Sequence, residues 1–376
     1  MVNGRFRFTE FRTGKNKIAK VNDMAETIRK TSGNLRIRDI AELAGVSTAA
    51  VSAVLNNRRK TSDATRQRVL DIIDKYNYVP QSAARTLSGK RTFQIGFLLS
   101  CKVTLGLANN YFATILSGVH DICRSRNYHL VISTYDLSSI NDFIMPANIQ
   151  QRNVDGLVLA GITDLAVIRE LQATDVPFVI VGGHYPEDVL CINNDEKKTT
   201  EEIISFFYNL GHRRLAFPAY YEVTERIYLE AWERLLKRFN WQDLILEFPH
   251  FTRAEFDEGE LLADRWFETD PERRFTALIA DDQFCAGFLG RFIGHGGRCP
   301  EEISVLASET PLSRYGVIPM STVDYHNFAM GKQAGSCLID LVEGKRTFQE
   351  ISENLQWYRN TTEIIVRNST GPLLKK

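Results

Sequence analysis

Asp281 and Asp282 stand side by side directly after the strand-like run Ala277–Ala280. Two adjacent carboxylates at a strand end have the raw chemistry of a general acid–base pair. No nucleophile motif, metal-ligand spacing or phosphate-binding loop accompanies them, so ligand contacts at a strand end or structural caps are the stronger reading. Gly287-x-x-Gly290 and Gly294-x-Gly296 do not follow a strand with dinucleotide spacing; helix packing and a loop account for them. The seven histidines show neither HxxxH nor HExxH spacing, and the six cysteines (101, 123, 191, 285, 299, 337) include no CxxC pair. The expectation is no catalytic residue, no metal and no cofactor, with reduced, mostly buried thiols.

A second group of candidates lies in Arg36–Asn56, RIRDIAELAGVSTAAVSAVLN. Ile40, Leu43 and Ala44 sit at helical spacing, Gly45-Val46-Ser47 interrupts them, and Val51, Val54 and Leu55 resume the period. Two short helices joined by a tight turn follow, with Gly45 left-handed and Ser47 capping the second helix. Two amphipathic helices bury little between them, so a third is required. Ser62–Tyr76 supplies it, with Val69, Leu70, Ile72 and Ile73 on one face. A helix-turn-helix results, its second helix shaped for a DNA major groove, although this geometry alone is a weak signal.

The chain of 376 residues suits two to three domains, and 44% hydrophobic with 24% charged residues is a globular composition with a sizeable core. No run approaches 18 apolar residues and the first residues lack an apolar signal core, so a cytoplasmic protein without a membrane span is expected. The zero net charge hides a partition. Residues 1–34 hold eight basic and three acidic side chains, and residues 35–92 hold eleven and five, leaving the remainder with a net charge of −11. A basic head on an acidic body fits a polyanionic partner.

From Phe93 onward strand-like runs (94–99, 129–133, 156–160, 178–181, 215–218, 277–280, 303–307) alternate with helix-like stretches such as 112–125 and 199–210. Alternation of this kind implies parallel, doubly wound sheets with a ligand crevice at the carboxyl ends of the strands. No internal repeat is strong enough to show two halves directly.

Tyr78-Val79-Pro80-Gln81-Ser82-Ala83-Ala84-Arg85-Thr86-Leu87 follows the third helix, and Phe93-Gln94-Ile95-Gly96 opens a strand. With D-I-A-x-x-A-G-V-S before them and Ile365-Val366-Arg367-Asn368-Ser369-Thr370-Gly371-Pro372 near the end, the chain resembles the LacI/GalR family of bacterial transcription regulators. The resemblance runs from about Leu35 to the end. It implies an α/β protein: a three-helix helix-turn-helix head (35–80), a hinge helix (81–92) and a two-subdomain, doubly wound core like a periplasmic binding protein (93–376). The first subdomain would hold 93–192 and 324–356, the second 193–322 and 357–370, with crossings near 191–195, 321–325 and 355–360. Residues 1–34 have no counterpart; they are expected to be a disordered basic tail, a DNA-contacting arm, or the product of a start site misplaced before Met24.

The resemblance places Thr48 and Ala49 where the family reads bases. Thr48 offers a hydroxyl and a methyl, Ala49 only a methyl. Ala53 stands where an Arg or His often reaches for guanine, so that bidentate contact is missing and specificity must come from elsewhere or from bending. Ser47, Thr48, Asn56, Arg58 and Ser62 are candidates for phosphate contacts, with capping or solvent roles as the plain alternative; Ser52 completes the set on the recognition helix. Arg36 replaces the usual Thr cap, which predicts a less firm start to the first helix. In the hinge, Ala84 and Arg85 precede Leu87, which would wedge into the minor groove and kink the duplex.

The implied effector cleft departs further from the family. Asn110-Tyr111-Phe112 matches N-P-F-F with Tyr for Pro. Leu229-Glu230-Ala231-Trp232 matches L-x-G-[FYW], but the preceding Arg is Tyr228, with Arg226 two residues earlier. Asp281 replaces an Asn, and Glu309 an Asp. A cleft lined by Asn110, Tyr111, Phe112, Arg226, Tyr228, Trp232, Asp281 and Glu309 should favour a neutral sugar or polyol over an anion. The expected function is a repressor that binds a palindromic double-stranded operator as a homodimer under control of a sugar-like ligand. No leucine heptad follows Pro372, which argues against tetramerisation. The alternative is a sugar-binding protein with a vestigial head.

Overall fold

A computed structural model describes residues 35–373 except 56–60, 77, 79–90, 104, 162, 184, 220–221, 252–254 and 355–361. The chain divides into two compact units, up to Thr92 and from Phe93 on.

In the first unit α1 (Ile37–Ala44), α2 (Thr48–Leu55) and α3 (Asp63–Tyr76) close over Ile40, Ala41, Ala44, Val51, Val54, Val69 and Tyr78. Gly45 takes φ 64°, which lets the chain turn sharply out of α1. The expected weakness at Arg36 is offset: the Arg36 N–H donates to Asp39 at 2.7 Å, so a carboxylate in the first turn caps the start. Ser47 accepts from Ala50 N at 3.2 Å and Ser62 from Thr65 N at 3.3 Å, so both serve as helix caps. Leu70 is a correction. Val69, Ile72 and Ile73 form the i, i+3, i+4 stripe, and Leu70, one position around the helix, faces solvent.

The second unit contains two sheets. The first has order β2-β1-β3-β4-β5, all parallel, from β1 (Gln94–Ser100), β2 (His129–Tyr135), β3 (Gly156–Ala160), β4 (Phe178–Val181) and β5 (Cys191–Ile192). The second has order β11-β10-β9-β8-β6-β7, from β6 (Arg214–Ala216), β7 (Ile245–Glu247), β8 (Ala277–Ile279), β9 (Ser304–Ser308), β10 (Ser321–Asp324) and β11 (Glu363–Ile365). Its edge strand β11 runs antiparallel to β10, a departure from the all-parallel expectation.

Both faces of each sheet are covered. Ile95, Phe97 and Leu99 point into one cluster and Leu98 into the other, which is why β1 reads as an unbroken apolar run. The layers on the first sheet come from α4 (Asn110–Ser125), α5 (Ala147–Gln150), α6 (Leu165–Gln172) and, returning late in the chain, α12 (Asn327–Glu343) and α13 (Phe348–Ser352). On the second sheet α7 (Glu196–Asn209) and α8 (Glu222–Phe239) cover one face. The other face takes α9 (Phe256–Glu268) and α10 (Asp282–Gly294), and the short α11 (Pro311–Tyr315) packs on α10. The chain leaves the first sheet after β5, returns to it after β10, and re-enters the second at β11.

Two helix pairs approach backbone to backbone. On α4, Gly118 faces the Phe328 carbonyl of α12, and on α12 Gly331 faces the Ile115 carbonyl of α4; added Cβ atoms would meet those oxygens at 2.2 and 2.0 Å. Gly259 of α9 and Gly287 of α10 repeat this with the Phe284 and Phe256 carbonyls, at 2.1 and 1.9 Å. Gly290, Gly294 and Gly296 have open space around the missing Cβ.

Candidate functional site

On the head, Val51 and Val54 anchor α2 in the core and turn its opposite side outward. Ser47, Thr48 and Ala49 are exposed at the helix start; Ser52 and Ala53 are half-buried one turn on. Asn56, Arg58, Ala84, Arg85 and Leu87 lie outside the described residues.

The core site is built at strand ends. Asn109 caps α4, its Oδ1 accepting from Tyr111 N at 3.1 Å and Phe112 N at 3.3 Å, which fixes that first turn at the carboxyl end of the first sheet. Asn110 Nδ2 donates to Asp282 Oδ2 at 3.2 Å, and the Thr310 hydroxyl donates to the same oxygen. Asp282 is buried and thereby ties α4 of the first subdomain to α10 and α11 of the second. Its role is a clasp rather than half of an acid–base pair.

Asp281 differs. Its side chain is exposed to water at the strand end, and among the described residues its carboxylate accepts from the Ser308 hydroxyl at 3.4 Å. Burial and the neighbouring charge of Asp282, opposed by Ser308, push its pKa up to about 6. Three tyrosines share the compartment. Burial pushes the hydroxyl pKa values of Tyr111, Tyr228 and Tyr325 far up, and the charges of Asp281 and Glu196 act on all three. Tyr228 lies against Phe217 with ring centroids 4.0 Å apart, and Tyr111 meets Phe112 edge to face at 5.0 Å. Trp232 packs against the same cluster as Tyr228, its indole N–H buried and without a hydrogen-bond partner among the described residues. Cys191 donates its thiol to the Gly182 carbonyl at 3.3 Å, and burial, with Glu196, raises its pKa to about 12; it is inert packing.

Two expected contacts sit elsewhere. Arg226 is 70% exposed on α8, and among the described residues its ion pair is with Glu230, 4.0 Å away. Glu309 is 7% exposed and spends its oxygens on Arg314 at 2.7 Å, Arg367 at 2.8 Å and the Thr322 hydroxyl. Burial raises its pKa, but these three donors outweigh burial and hold it below the usual carboxylate value. Nearly buried and held by these three donors, Glu309 ties the end of β9 to Arg367 beyond β11. Sequence reasoning missed Tyr325 and Glu196. One ends and the other directly follows a segment marked as a crossing (321–325 and 191–195), and a crossing must pass the base of the cleft; that was the available signal. No group of three or more His, Cys, Asp or Glu suited to a metal occurs among the described residues.

A helix-turn-helix unit followed by two doubly wound sheets around one cleft is the arrangement found by comparison. Residues 36–81 match the description "Bacterial regulatory proteins, lacI family", and residues 204–370 match "Periplasmic binding protein-like domain". The chain carries a lacI-family DNA-binding domain ahead of a periplasmic-binding-protein-like domain. It is 26% identical over 313 residues to catabolite control protein A of Streptococcus mutans, covering 81% of this chain and 90% of that one. It is 27% identical over 355 residues to the HTH-type transcriptional repressor PurR of Vibrio campbellii, covering 90% and 99%. Its fold is that of the lac repressor dimer bound to operator and the anti-inducer ONPF, with TM-score 0.73, 23% identity and coverage of 90% and 99%. LacI-family relatives are transcription regulators rather than enzymes. No helix among the described residues is long and apolar enough to cross a membrane.

Proposed function

We propose that this protein is a cytoplasmic repressor of the LacI family that binds a palindromic operator as a homodimer and is switched by a neutral sugar or polyol in the cleft. The observation that carries the ligand class is the cleft wall: three tyrosines and the Asp281 carboxylate, with Arg226 turned to solvent and Glu309 spent on internal arginines. A buried anion beside Asp281 would be unpaired and costly, whereas hydroxyls donate to the carboxylate and sugar faces stack on aromatic rings. Dimerisation is supported by apolar side chains exposed on two elements that both pack on α10: Phe256 on α9, Leu312 and Tyr315 (84% exposed) on α11, with Val317 (75%) just after it. The clasp through Asp282 joins the two subdomains. A ligand that changes the angle between subdomains moves α4 against α10, and with them the two heads. In this reading Leu87 wedges the operator.

Calorimetry against a panel of neutral sugars, sugar phosphates and sugar acids is the test. Saturable binding of a neutral member, weakened at least tenfold in Asp281→Ala, is expected. Tight binding of an anionic sugar that Arg226→Ala abolishes would overturn the charge argument.

A further inference from the structure

The outward side of α2 has an unusual chemical inventory for a helix that reads bases. Thr48–Leu55, TAAVSAVL, contains no Arg, Lys, His, Asn, Gln, Asp or Glu. The side chains it turns away from the head's core are Thr48 and Ala49, exposed, and Ser52 and Ala53, half-buried. Ser47, just before them, spends its Oγ on the Ala50 N–H. Discrimination between base pairs in the major groove uses either donor–acceptor pairs at fixed spacing or the thymine C5-methyl. The first needs a guanidinium, amide or carboxylate, and α2 supplies none. The Thr48 and Ser52 hydroxyls both donate and accept, so they fit every base edge and discriminate little. What remains is apolar: the methyls of Thr48, Ala49 and Ala53, spaced i, i+1 and i+5 so that they cover about one turn and a half of the outward side.

We propose that α2 reads pyrimidines through their C5-methyl groups, with Thr48, Ala49 and Ala53 as the contacting surface. Thymine and 5-methylcytosine are then equivalent to it at the methyl, and unmethylated cytosine and uracil are not. The proposal rests on the reading of the protein as an operator-binding regulator. It adds that the head's base specificity is carried by burial of methyl groups rather than by hydrogen-bond pairs.

The test uses the full-length protein and duplexes it selects from a random library. The selected duplex is resynthesised with deoxyuridine for thymine, one half-site position at a time, and binding is measured by fluorescence anisotropy. Loss of a contacted methyl forfeits burial worth about 0.8 kcal/mol per carbon, so a fourfold weakening per position is expected. Deoxyuridine outside the half-sites should change nothing. At a sensitive position cytosine should bind more weakly than 5-methylcytosine. Thr48→Ser, which removes one methyl and keeps the hydroxyl, should shrink the deoxyuridine penalty at one position in each half-site and leave the others intact. Equal binding of thymine and uracil duplexes at every half-site position would overturn the proposal while leaving the regulator reading in place. Failure of the protein to enrich any sequence would remove the regulator reading itself, and the methyl readout with it.

Discussion

Asp281 and His212 respond to pH with opposite signs, and the contrast isolates each. In the unfolded chain Asp281 ionises near 3.8; in the folded protein burial and Asp282 hold the proton until about 6. Between those values the folded state binds more protons, so stability falls as pH rises from about 4 to 6. His212 is fully buried, its Nδ1 3.0 Å from the Thr276 hydroxyl and its Nε2 3.1 Å from the Gly371 carbonyl. A carbonyl only accepts, so Nε2 carries the proton and Nδ1 accepts from Thr276. Burial lowers the pKa of His212 below 6.5, with Arg213 adding to it and the Gly371 contact opposing. The unfolded state then binds more protons, so this residue's stability contribution is full above pH 6.5 and is lost as pH falls below it. Asp281→Asn should therefore melt higher than the parent at pH 7 and gain little at pH 4, leaving a profile that rises with pH. His212→Gln in that background should flatten the remaining slope. Thermal melts from pH 4 to 7.5 check both, and a parent profile unchanged by Asp281→Asn would mean that the carboxylate is fully solvated. The sequence revealed Asp281 as a cleft residue through its place after a strand. Glu309 was read with the wrong partner because a carboxylate's neighbours from distant segments, here Arg367, are invisible to local pattern.

Helix contacts set the rigidity of each subdomain, and their signature was in the sequence in plain view. Ile115-x-x-Gly118, Phe328-x-x-Gly331, Phe256-x-x-Gly259 and Phe284-x-x-Gly287 each place a glycine three residues after a large apolar residue whose carbonyl meets the partner helix's glycine. The two halves share this device, yet four residues are too few to stand out as a repeat without the pairing geometry. Gly331→Ala drives a methyl onto the Ile115 carbonyl, a backbone atom that can retreat only if α4 moves. Overpacking of this kind costs on the order of 1–3 kcal/mol. Gly290→Ala, on an open face, should be neutral or slightly stabilising through helix propensity. Urea denaturation of the pair decides; equal midpoints would mean that α12 slides freely. The long strands and amphipathic helices were legible because each carries its own period. β5, β7, β10 and β11 were not recognised as strands: the first two and the last hold two or three residues at a sheet edge, too little pattern to show one, and β10, Ser321-Thr322-Val323-Asp324, has a single large apolar residue despite its place inside the sheet.

Charge is a property of the whole chain, and here it is sorted by position. The first 92 residues carry +11 and the rest −11, so the neutral total says nothing about how the protein meets DNA. A duplex holds condensed counterions, and each phosphate neutralised by a Lys or Arg frees some of them. Operator affinity should fall with salt along a log–log slope of about −0.9 per phosphate contacted. The negative remainder repels the duplex, so only the basic part of the chain neutralises phosphates, and the slope counts how many. Removal of residues 1–23 takes away six basic and two acidic side chains. If that segment is a tail, the truncated protein should keep both its slope and its preference for operator over random DNA. If it is an arm on the phosphates, the slope should become shallower in proportion to the phosphates the shortened protein no longer neutralises. Sequence preference should then be retained, because phosphates position a protein without specifying a site. Titrations at several salt concentrations separate the two. A slope near zero for the intact protein would remove electrostatics from the account altogether and leave the methyl-bearing side of α2 and the bending of the duplex to supply the whole affinity.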